Sequence, residues 1–122
     1  MASWPRPASG ALQVLRFRGS EVLLVMVVGA CRVTLRLPEN ASLKGKRQLV
    51  LSLSQRLRNK FNVAVAEVGD NDRWQIATLG ITCVSNDGRH AREQLDTVVR
   101  DIETSRLDAE LLESEIDVSQ AF

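Results

Sequence analysis

A chain of 122 residues with 44% hydrophobic and 25% charged side chains has room for one domain around a single core. Its net charge of +1 excludes recruitment of a partner by global charge, and its two cysteines fit no zinc-binding spacing. No stretch approaches the ~20 consecutive apolar residues of a membrane-spanning helix.

Residues 1–20 are rich in Pro, Gly, Ser and Arg, open with Trp4-Pro5-Arg6-Pro7 and show no period. Residues 1–25 therefore read as a disordered N-terminal extension ahead of a domain at 26–119. Val28-Gly29-Ala30-Cys31, with Arg16 and Arg18 upstream, has the form of a lipoprotein signal. Glu21 abuts its apolar run, however, and cleavage before Cys31 would remove half of a strand. Met26 reads as the natural start.

Val27–Leu37 alternates Val27, Cys31, Val33, Leu35 and Leu37 against Arg32, Thr34 and Arg36, the pattern of a half-buried strand. Pro38-Glu39-Asn40 ends it, and Ser42 is a suitable N-cap. Leu43, Val50, Leu53, Leu57 and Phe61 recur at helical spacing, which predicts a helix over 43–60. Two strands follow, 62–68 and 74–84, joined by the turn composition Gly69-Asp70-Asn71-Asp72. Asn86-Asp87-Gly88 caps a second helix over 88–105, with Ala91, Leu95, Val98 and Ile102 as its apolar stripe. In the last strand, 111–118, Leu112, Ile116 and Val118 are expected to face the core, with Glu113, Glu115 and Asp117 opposite.

The order strand, helix, strand, strand, helix, strand predicts an α+β fold. Both helices must bury their stripes, and right-handed crossovers place them on one face of a four-stranded antiparallel sheet. This is the ferredoxin-like βαββαβ sandwich. The last strand then lies beside the first, so Arg32 and Arg36 face the acids of 113–117.

Charge is unevenly spread. Residues 43–61 hold Lys44, Lys46, Arg47, Arg56, Arg58 and Lys60 and no acid, whereas 93–117 hold nine acids against Arg100 and Arg106. Three of those cations open the first helix, where the backbone dipole disfavours positive charge. A helix start with free N–H groups and added Lys and Arg suits a phosphate backbone. The bland alternative is a solvated helix face. Tyr is absent and aromatic content is 4%, so base stacking on the sheet is not expected. Trp74 and Ile76, with Thr78 beyond them, suggest an apolar interface patch on the open sheet face. His90 lacks a nucleophile partner or co-ligands, and Cys31 and Cys83 read as small buried hydrophobes. Glu67 reads as an exposed strand charge. Gly29 and Gly80 suit close approach of a strand or partner. No catalytic residue, cofactor or metal site is indicated.

Several segments together resemble the YlxP-like family of small bacterial proteins: Met26–Val33, Ser42-Leu43-Lys44-Gly45-Lys46-Arg47, Arg56–Val63, Ala66-Glu67-Val68, Trp74–Gly80 and Val84-Ser85-Asn86-Asp87. The resemblance covers Met26 to Val118. It implies a ferredoxin-like fold and a start near Met26, suggests a link to translation through gene neighbourhood, and supplies no catalytic residues. The expected function is a cytoplasmic, non-enzymatic RNA- or ribosome-associated factor that uses Lys44, Lys46, Arg47, Arg56, Arg58 and Lys60. The alternative is a homodimeric interaction module using the open sheet face and the 62–84 hairpin.

Overall fold

The computed structural model describes residues 13–69, 72–105 and 109–122. Its first elements are β1 (Gln13–Phe17) and β2 (Ser20–Leu24), an antiparallel hairpin that forms a two-stranded sheet of its own. Arg18 (φ 49°) and Gly19 (φ 76°) take the left-handed conformations that a tight two-residue hairpin turn requires. The register sets Arg16 opposite Glu21, 3.4 Å apart. Residues 13–24, part of the segment expected to lack structure, are placed in this hairpin. Their alternation is weak because large apolar side chains stand on both faces. Trp4-Pro5-Arg6-Pro7 and the rest of 1–12 lie outside the described residues, as do Asp70 and Asn71 of the later turn.

The chain then follows the predicted order. β3 (Val27–Arg36) alternates buried and outward residues; α1 spans Leu43–Lys60, β4 Ala64–Glu67, β5 Ile76–Ser85, α2 Gly88–Thr104 and β6 Glu110–Gln120. The strands form one antiparallel sheet in the order β4-β5-β3-β6. Both helices begin as anticipated. The Ser42 hydroxyl accepts from the Gly45 N–H at 3.0 Å, and Asp87 accepts from Arg89 N–H at 2.9 Å.

The core is a single cluster. Cys31, Val33 and Leu35 of β3 and Leu79, Ile81 and Cys83 of β5 meet Leu53 and Leu57 of α1 and the Ala91–Leu95–Val98–Ile102 stripe of α2. Each fully buried Leu, Ile or Val there contributes about 1.5–3 kcal/mol. Gly29 admits α2 closely: a Cβ at that position would stand 2.9 Å from both Cys83 Sγ and Leu95 Cδ1. Gly80 faces Val68 of its own chain at the same distance rather than leaving space for a partner.

β6 departs from the expected alternation. Thr34 pairs with Glu113 but Leu35 pairs with Leu111, so a bulge omits Leu112 from the ladder. Leu111 packs against the core and Leu112 is exposed, the reverse of simple period-2 counting. Ile116 and Val118 face the core as expected. On the other face Arg32 pairs with Glu115 at 2.9 Å and Arg36 with Glu110 at 3.9 Å.

Candidate functional site

The opening of α1 is a built structure rather than a row of free cations. Asn40 donates from Nδ2 to the Ser42 carbonyl at 2.8 Å and to the Trp74 carbonyl. Gly45 leaves room for it: a Cβ there would collide with Asn40 Oδ1. One residue on, the Lys46 side chain turns inward and is 1% exposed. Its ammonium lies 3.1 Å from Glu67 Oε1 and donates to the Arg73 carbonyl at 2.8 Å. The helix start is thus tied to the end of β4 and to the segment entering β5.

This corrects two expectations. Lys46 is not a mobile surface cation available to a ligand, and Glu67 is not a solvated strand charge. The register explains Glu67: it pairs with Leu79, a core residue, so it lies on the helix-covered face of the sheet. The ion pair offsets the cost of burying the lysine and of placing a cation in a helix's first turn.

The other end of the helix is partly neutralised as well. Asp101 of α2, itself only 9% exposed at its side chain, accepts from Arg56 at 3.2 Å and from Lys60. These two cations therefore share one carboxylate across 45 and 41 residues of sequence. Lys44, Arg47 and Arg58 are exposed, and the described residues provide no carboxylate within ion-pair distance of them. With Gln48, Leu51, Ser52 and Gln55 they make up the outer stripe of α1, which holds no acid. Arg58 and Lys60 also suit the negative end of the helix dipole.

Trp74 and Ile76 border one open depression together with Asp72, Arg73 and Gln75. β5 begins at Ile76, and a 2.7 Å bond from Leu37 N–H to the Gln75 carbonyl carries the β3–β5 register one position further. Trp74 stands outside the strand, 53% exposed, and Ile76 is half-buried opposite Arg36. A mostly apolar depression of about 410 Å³ lies further along the open face, where Ala30, Ala64, Ala66, Val68 and Thr82 surround Gly80 and Arg32 borders it.

Cys31 and Cys83 are buried free thiols. Burial, with a smaller contribution from Asp96, pushes the Cys31 pKa up to about 11, and burial likewise raises that of Cys83. His90 is exposed on α2. Among the described residues no three His, Cys, Asp or Glu side chains gather as a metal site, and no helix is long and apolar enough to cross a membrane. Asn40, Glu67 and Asp101 are the site residues that sequence reasoning missed. The only local signal was the absence of acids among the six cations, which leaves their partners to be found elsewhere in the chain.

The model of a family described as "Protein of unknown function (DUF503)" matches residues 28–116. The chain belongs to the DUF503 family. It is 36% identical over 63 residues to the "Uncharacterized protein YlxP" of Bacillus subtilis (strain 168), an alignment covering 52% of this chain and 68% of that protein. The YlxP-like resemblance is therefore correct. Among solved structures it is similar to the de novo designed protein Foldit4, at 15% identity and a TM-score of 0.47 over 77% of this chain and 96% of that one. In this DUF503 member the matched span holds Asn40, Lys46, Glu67 and Asp101, and hence both ion-paired ends of α1.

Proposed function

We propose that this DUF503 member is a cytoplasmic, non-enzymatic accessory factor that docks on the phosphate backbone of structured RNA, ribosomal RNA included, through the outer face of α1. The reading takes the fold as ferredoxin-like, which is supported by the order β4-β5-β3-β6, with the last strand beside the first, and by both helical stripes in one core. The observation that carries the proposal is the acid-free stripe with Lys44, Arg47 and Arg58 exposed and without an internal carboxylate partner among the described residues. Arg56 and Lys60 contribute less, because Asp101 already holds them. Lys46 takes no direct part.

Three phosphate contacts imply a log–log salt slope of about −2 to −3, a loss of roughly 15- to 60-fold in affinity between about 50 and 200 mM salt. Such contacts position a protein without reading sequence. The test is co-sedimentation with ribosomes and titration of a structured RNA by the Lys44→Glu/Arg47→Glu/Arg58→Glu triple variant. Loss of both is expected. Unchanged binding, or a salt-insensitive interaction, overturns the proposal.

A further inference from the structure

Among the described residues, apolar surface is left uncovered on the β1–β2 hairpin and on the open sheet face. In the hairpin, residues 14–24 are all exposed, including Leu15 at 51%, Phe17 at 61% and Leu23 at 60%. A lone two-stranded hairpin is marginal in water, and one with apolar side chains on both faces calls for a cover. On the sheet it is the half of the open face formed by β4 and β5. An antiparallel sheet facing solvent ordinarily shows polar residues there. Here Ala64, Ala66, Val68, Thr82, Val84 and, from β3, Ala30 turn outward, and Arg32, which borders the depression at Gly80, is held by Glu115 at 2.9 Å.

The hairpin does not cover its own sheet, since residues 14–24 are all exposed. Only Val25 separates β2 from Met26, and Met26 is held at the end of β6. Its N–H donates to the Phe122 carbonyl at 3.3 Å, and its carbonyl accepts from Ala121 at 2.8 Å. The arm therefore leaves the domain at this pinned point, at the end of the sheet where Val27 pairs with Ser85 and Val84 stands exposed. Charge is matched as well. The charged half of the open face sets Glu110, Glu113, Glu115 and Asp117 against Arg32 and Arg36, so it is net acidic. The arm carries Arg16 and Arg18 against Glu21, so it is net basic. An acidic rim repels nucleic acid and favours a cationic apolar partner.

We propose that two copies of this chain, in the form that carries the residues ahead of the start expected at Met26, associate by exchanging arms, each β1–β2 hairpin lying on the open sheet face of the other. The exchange is reciprocal and closes as a twofold dimer. It is independent of RNA docking, because α1 packs against the opposite, buried side of the sheet.

The test uses the full chain and two single variants: Leu15→Asp on the arm and Ala66→Asp on the face. Both positions are exposed in the single copy, so helical circular dichroism should match the wild type. Sedimentation equilibrium is expected to give twice the chain mass for the wild type. Each variant should need at least 100-fold higher concentration to dimerise, because a carboxylate would be buried at the contact. Mixing Leu15→Cys with Ala66→Cys copies should yield a disulfide between the two different variants. A wild-type chain that stays monomeric at high micromolar concentration overturns the proposal. So does a Leu15→Asp chain that dimerises like the wild type, which would place the sheet faces directly against one another.

Discussion

The Lys46 ammonium and the Glu67 carboxylate stand 3.1 Å apart under the first turn of α1, with the lysine 1% and the glutamate 18% exposed at their side chains. Replacing Glu67 by Gln removes the counter-charge facing a buried cation while the Arg73 carbonyl still accepts from it. The expected destabilisation is about 3 kcal/mol, at the lower end for broken buried pairs. Urea unfolding measures it. A Lys46→Met/Glu67→Leu double variant should recover most of the loss, because the buried cation and its carboxylate are removed together.

Gly45 offers a sharper test of the same corner. Alanine is the better helix former by about 1 kcal/mol, so propensity alone predicts stabilisation. The added methyl would strike Asn40 Oδ1, and the expected outcome is destabilisation of about 1–3 kcal/mol. Thermal unfolding should show a lowered Tm for Gly45→Ala. In an Asn40→Ala background the same substitution should cost far less.

Asp101 links stability to the proposed RNA contact. Asp101→Asn frees Arg56 and Lys60, whose side chains are 39% and 56% exposed. Stability should change by no more than about 1 kcal/mol, as is usual for partly solvated pairs. RNA affinity should rise at low salt, and the salt slope should steepen by about one unit for each cation that gains a phosphate. Titrations at several salt concentrations read both quantities.

The bulge in β6 predicts opposite results at adjacent leucines. Leu111→Ala removes a side chain packed on the core and should cost about 2 kcal/mol. Leu112→Ala alters an exposed position and should stay within about 0.5 kcal/mol of the wild type. Denaturant midpoints of the two variants decide it.

Alkaline pH acts through Cys31. Its folded pKa, about 11, lies above the ordinary value of 9.0, so the folded chain holds a proton that the unfolded chain gives up. The contribution is complete below pH 9 and is lost as pH rises from 9 to 11, at up to about 1.4 kcal/mol per pH unit. Stability measured over that interval should fall more steeply in the wild type than in Cys31→Ala. Below pH 9, alkylation of Cys31 and Cys83 should proceed only as fast as the domain opens.

Periodicity along the chain was enough to place both helices, their caps, the core stripe of α2 and the alternation of β3, because these depend on neighbours within about four residues. It could not place the partners of the cations. Lys46 finds Glu67 21 residues away and Arg56 finds Asp101 45 away, through packing of a helix on the sheet and on a second helix. The same holds for Leu111 and Leu112, where one residue omitted from the ladder reverses the faces that alternation assigns. From Val27 onward local pattern determined which segments are helix and strand, though it missed the β1–β2 hairpin. Tertiary packing decided which positive charges remain at the surface, because a charge is neutralised by what lies near it in space.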